Sequence, residues 1–181
     1  MNLENNLLMI PGPVPVAPRI LRAMSKPIIG HRGKEFGDMY SECRQVLGEL
    51  FGTKNDIYII SGSGSCAMEA AVGNVIGEKD TLVTIENGKF GERFREIGER
   101  YGNVKAVKFD WAKGESIELD RVESALAEGA KAVTLVHNDT SVGIKNPAKE
   151  IGDLLFQLGS LNKERRLEMA KAIAEHLLIG A

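Results

Sequence analysis

Between Asp56 and His137, short runs rich in β-branched residues alternate with longer stretches whose apolar positions recur at three- and four-residue intervals. The short runs predict strands at 56–60, 81–85, 104–109 and 132–137. The longer stretches predict helices over 66–76, near 91–101 and around 120–127. Alternation of this kind builds βαβ units, and strands apolar on both sides fit a mostly parallel sheet covered by helices on both faces. The expected fold class is therefore α/β, a three-layer sandwich.

Upstream, Phe36, Tyr40, Cys43, Leu47, Leu50 and Phe51 keep helical spacing up to Gly52, which predicts an amphipathic helix and its stop. Pro11, Pro13, Pro15 and Pro18 exclude regular helix nearer the start, so residues 1–20 are read as an extended arm. Downstream, Asn146 and Pro147 have the character of an N-cap and first helical residue, opening a helix through Leu154. Beyond Leu155 the alternation stops. Residues 156–160 fit neither period, and "NKERRLEMAKAIAEHLL" predicts a charged amphipathic helix with Leu167, Ala170, Ile173, Ala174 and Leu177 on one side. The expected organisation is an arm (1–20), a main domain (21–155) and a C-terminal amphipathic helix (156–181). A sheet of about four strands with no closing strand predicts an oligomer, or a tail folded back over the sheet.

Composition narrows the function classes. With 181 residues, 43% of them hydrophobic, and a formal charge of -2, the chain reads as an ordinary globular protein with no basic surplus for nucleic acid. Two cysteines, Cys43 and Cys66, are too few for a disulfide framework; they are expected in the core of a protein from a reducing compartment, the cytoplasm. The N-terminal apolar run is short and broken by prolines, so neither a signal peptide nor a membrane span is expected. The sequon Asn138-Asp139-Thr140 is read as chance.

Three stretches carry candidate chemistry. In "YIISGSGSCAMEAA" a β-branched run stops at Ser-Gly-Ser-Gly-Ser and a helix begins, so backbone amides and the helix dipole converge on one point. Gly62-x-Gly64-x-x-Ala67, with Glu86 at the end of the next strand, fits a dinucleotide fingerprint for NAD. The hydroxyls of Ser61, Ser63 and Ser65 suit a terminal phosphate monoester better. A plain connecting turn is the third reading. In "ENGKFGER", Phe90 sits at the C-terminal edge of the sheet, where it either stacks on a planar ring or plugs the core. In "LVHNDTSVGI", consecutive polar residues from His137 to Ser141 end a strand at that same edge. No metal-ligand set emerges.

In this order, "LLMIPGPVPVAPRILRAM", "GHRGKEF", "SGSGSCAMEAA", "NGKFGER", "HNDTSVGI" and "NPAKEIGDL" resemble the class V, fold-type I pyridoxal-phosphate aminotransferases of the serine–pyruvate and alanine–glyoxylate group. The resemblance implies a partial large domain of that fold and, at family level, transamination of a small amino acid to a 2-oxo acid. It implies that Ser63, Gly64 and Ser65 hold the cofactor phosphate with Cys66 beside them in the cofactor site, that Phe90 stacks on the ring, and that Thr140 reaches the ring oxygen. It places Gly12, His31 and Arg32 in segments lining the active site near a dimer interface. The family's cofactor-binding lysine and its pyridinium-pairing aspartate have no counterpart here, so the chain resembles a member with its middle deleted. Lys145 is no substitute, because an exposed lysine keeps its proton up to a pKa of about 10.4. Catalysis by this chain, and covalent attachment of the cofactor, are not expected. A non-catalytic oligomerisation or binding module and a minimal NAD-binding domain are the alternatives.

Overall fold

A computed structural model describes residues 8–160, and the expected C-terminal helix falls outside the described residues beyond Ser160. The chain divides into two compact units, Met1–Ser61 and Gly62–Ala181.

In the first unit, α1 spans Pro18–Met24 and α2 spans Lys34–Phe51. The helical spacing of Phe36, Tyr40 and Leu47 is realised in α2, and Gly52 ends it in the left-handed conformation. No residue of either helix is buried, and Met39, Val46 and Leu50 are exposed. Cys43 and Cys66 are exposed as well, which corrects the expectation that both are core residues. The expected strand at 56–60 does not form. Tyr58 is 78% exposed, and the segment is tied back to α2 by Ile59 N–H donating to Tyr40 Oη (3.4 Å) and by an Arg44–Asp56 ion pair. Apolar character makes a strand only where a neighbour supplies ladder bonds, and among the described residues this run has no strand partner.

The second unit holds the sandwich. Its elements are α3 (Gly64–Val75), β1 (Thr81–Glu86), α4 (Lys89–Gly98), β2 (Asn103–Lys108), α5 (Leu119–Ala127), β3 (Ala132–Thr134), a short hairpin of β4 (Asn138–Asp139) and β5 (Ile144–Lys145), and α6 (Ala148–Ser160). Among the described residues the sheet is parallel in the order β2-β1-β3, three strands rather than about four. Strand alternation decides the two cores. Val83 and Ile85 face Val122 and Leu126 of α5 and Ile151 and Leu155 of α6. Leu82 faces Met68 and Val72 of α3 and Phe94 and Ile97 of α4. Helices thus cover both faces, and β1 is buried from Leu82 to Glu86, with Thr84 and Glu86 enclosed along with its apolar residues.

β3 is shorter than the 132–137 run. Asn146 takes over the backbone groups that follow it: its Nδ2 donates to Val136 O (2.6 Å), and its N–H donates to His137 O (2.6 Å). Asn146 is buried by this role and does not cap α6, whose first turn instead closes on Pro147 O through Ile151 N–H (3.1 Å). An apolar cleft lies beside β3, lined among others by Val75, Ala132, Leu135, Ala148 and Gly152.

The turn into β1 is held by Asp80, which accepts from Gly77 N–H (2.9 Å) and from Lys131 Nζ (3.1 Å). The Gly77 bond first, then Lys131, hold its carboxyl below the usual value of 3.8. A carboxyl lowered on folding stabilises the fold above its unfolded pKa, and that contribution disappears as pH falls through the folded value. Asp80→Asn is therefore expected to lower Tm at neutral pH, with the gap to the parent chain closing as the pH falls through the lowered folded-state value. A gap independent of pH in thermal melts would contradict this role.

Candidate cofactor-binding site

The site forms where β1 ends. Helix α3 opens on Ser63, whose Oγ accepts from Cys66 N–H (3.3 Å), a bond that does not use the hydroxyl proton. Behind it, a Cβ at Gly62 would lie 3.1 Å from Cys66 Cβ, so the turn is closely wound. Gly64 and Ser65 form the first turn of α3, where backbone amides lack helical acceptors and the helix dipole favours an anion. From the neighbouring helix, Arg93 donates to Ser65 Oγ (3.3 Å) and also pairs with Glu96 (3.3 Å). Amides, hydroxyls and a guanidinium make a donor set that matches a dianionic phosphate. Arg93 escaped sequence reasoning, although it stands three residues after Phe90 and so shares its helix face.

Phe90 is 45% exposed in the first turn of α4, so the core-plug reading is set aside. Helix α4 begins after Gly88, which has no side chain to cap it. The caps come from the β4–β5 hairpin instead: Phe90 N–H donates to Asp139 Oδ2 (3.2 Å), and Lys89 N–H donates to Ser141 Oγ (2.9 Å). Ser141 in turn donates to Asp139 Oδ1 through its hydroxyl (2.6 Å) and its N–H (3.0 Å). Thr140 is exposed in the tip between these two residues. A second tie joins the same segments, where the buried amides of Asn87 and Asn146 hydrogen-bond each other in both directions (2.5 and 3.0 Å).

The structure therefore brings Ser63, Gly64, Ser65 and Cys66 beside α4, and locks Phe90 to the turn that carries Thr140. Gly12, His31 and Arg32 lie in the first unit and are exposed. Glu86 is buried against α4, paired with Arg95 (3.3 Å) and accepting from Thr84 Oγ1 (3.0 Å). A carboxylate so engaged does not offer itself to a ribose, which weakens the NAD reading. Lys145 is exposed in β5, opposite Asn138. Among the described residues, no group of three His, Cys, Asp or Glu side chains is placed to hold a metal ion, and no helix is long and apolar enough to cross a membrane.

A parallel α/β sandwich matching the fold-type I pyridoxal-phosphate aminotransferases defines the class. The chain belongs to the class-V aminotransferase family, whose model matches residues 22–161. It is 42% identical over 157 residues to an uncharacterized aminotransferase of Methanocaldococcus jannaschii, covering 86% of this chain and 40% of that protein. It is 36% identical over 156 residues to alanine–glyoxylate aminotransferase of Mus musculus, covering 85% and 37%. The crystal structure of ureidoglycine–glyoxylate aminotransferase from Bacillus subtilis superposes with a TM-score of 0.76 at 36% identity, covering 82% and 39%. The chain thus spans about 40% of the length of the curated relatives it matches.

Proposed function

We propose that this chain is the cofactor-holding portion of a class-V aminotransferase, with amino acid to 2-oxo acid transfer as the family-level activity. The observation that carries the reading is the convergence of Ser63, Ser65 and Arg93 at the start of α3, next to the helix face that presents Phe90. Ser63, Gly64, Ser65 and Cys66 bind the phosphate of pyridoxal phosphate, Phe90 lies against its ring, and Thr140 bonds the ring oxygen. Bound there, the cofactor would act as an electron sink toward an amino acid joined to it. The protein's part is orientation and charge: the α3 amides and Arg93 neutralise the phosphate, and the hairpin fixes the hydroxyl of Thr140. The residues Gly12, His31 and Arg32 are assigned to the substrate side and a dimer interface on motif resemblance alone.

Residues 21–155 are proposed as the partial large domain, preceded by the arm and followed by the C-terminal helix. This chain alone is expected to bind the cofactor without a covalent bond and without turnover, because it holds no counterpart of the family's cofactor lysine. A homodimer of a cytoplasmic protein is the proposed assembly, supported by exposed apolar residues such as Ile20, Leu21, Met24 and Leu50. Fluorescence titration with pyridoxal phosphate tests the site. Ser63→Ala and Arg93→Ala are each expected to weaken binding about tenfold, and the Arg93→Ala loss should shrink at high salt. Affinity unaffected by both changes would place the ligand elsewhere.

A further inference from the structure

Asp139 is an acidic side chain with 1% of its surface exposed, and the phosphate and ring contacts above give it no part. It lies between two segments that contribute one ring contact each. Its Oδ2 faces the amide of Phe90, and its Oδ1 faces the amide and hydroxyl of Ser141, with Thr140 between the two hairpin residues. A carboxylate at the first turn of a helix also complements the helix dipole. The fit has no slack: a Cβ added at Gly88 would lie 2.4 Å from Asp139 Oδ2 and 2.4 Å from its Cγ. Gly88, with no side chain, thus leaves room for the carboxyl group that caps α4 from 49 residues away.

We propose that Asp139 is the positioning residue of the ring half of the site. It acts as a cap delivered from the hairpin, and it sets Phe90 and Thr140 at a fixed separation while leaving the phosphate cup alone. The proposal rests on the cofactor reading of Phe90 and Thr140. The cup depends on the α3 amides and on Arg93, which stands one turn beyond the Phe90 amide that Asp139 caps, so loss of the cap frays the end of α4 that carries Phe90 before it reaches Arg93. Inorganic phosphate probes the cup, and pyridoxal phosphate probes cup and ring together.

The test uses the intact chain and its Asp139→Asn and Asp139→Ala variants, with amide hydrogen exchange measured before any ligand is added. Asparagine keeps the size but turns one acceptor into a donor, so one of the two faces loses its bond. The expected result is loss of protection at Phe90 or Ser141, pyridoxal phosphate affinity reduced about tenfold, and inorganic phosphate affinity within about twofold of the parent. Unchanged protection at both amides in Asp139→Ala would overturn the cap itself, whatever the ligands do. Equal losses for phosphate and pyridoxal phosphate would overturn its restriction to the ring half. If the parent chain binds both ligands equally well, the ring contacts of Phe90 and Thr140 fail, and the positioning role fails with them. Lost protection in that case still marks Asp139 as a cap of α4, which separates the two failures.

Discussion

Gly91→Val is expected to lower the unfolding free energy by about 2–3 kcal/mol and to weaken pyridoxal phosphate binding with it. Helix α4 lies directly on β1: a Cβ at Gly91 would stand 2.7 Å from Ile85 O and 3.0 Å from Glu86 Cα. Both neighbours are backbone atoms of the central strand, which is flanked by β2 and β3 and cannot retreat. The helix must lift instead. Valine is a slightly better helix former than glycine, a gain of only about 0.5 kcal/mol that does not offset the overlap. Lifting α4 moves Phe90 and Arg93 together, so stability and ligand affinity should fall in the same variant. A denaturant midpoint unchanged at constant slope would show that the close approach is not real.

Asn146→Leu is expected to cost about 3 kcal/mol. Asn87 and Asn146 are both buried, and each satisfies the other. Removing Asn146 strands the buried Asn87 amide and the part-buried carbonyl of Val136, at about 1–3 kcal/mol for the buried group and less for the other. Removing Asn87 as well leaves fewer orphans, so Asn87→Leu with Asn146→Leu should cost clearly less than the sum of the two single changes. Strict additivity in denaturant unfolding would mean that the pair does not act as a unit.

Much of the second unit was legible because its signals were local and repeated. The alternation of short β-branched runs with stretches of helical period marks β1, α4, β2 and α5 within a few residues, and the Ser-Gly-Ser-Gly-Ser break marks the start of α3. The strand at 56–60 misleads because a β-branched run says nothing about whether a partner strand lies beside it. The exposed Cys43 misleads for a related reason: helical spacing identifies the apolar face of α2 without saying what covers it. Asn146 looked like a cap because its neighbour is a proline, yet its side chain serves residues 59 and 10 positions away. The same holds for Asp139. Its bond to Phe90 spans 49 residues, and no local pattern encodes it. The candidate site was thus readable as motifs along the chain, whereas the groups that bind those motifs together were not.

The central claim is that this chain holds pyridoxal phosphate by its phosphate and ring without attaching it to a lysine. It is tested most directly by titrating the intact chain with pyridoxal phosphate and with pyridoxal, followed by borohydride reduction and peptide mapping. The account predicts saturable binding of the phosphate form, competition by inorganic phosphate, much weaker binding of pyridoxal, and no single labelled lysine. Equal binding of the two forms, or one lysine labelled in full, would contradict it.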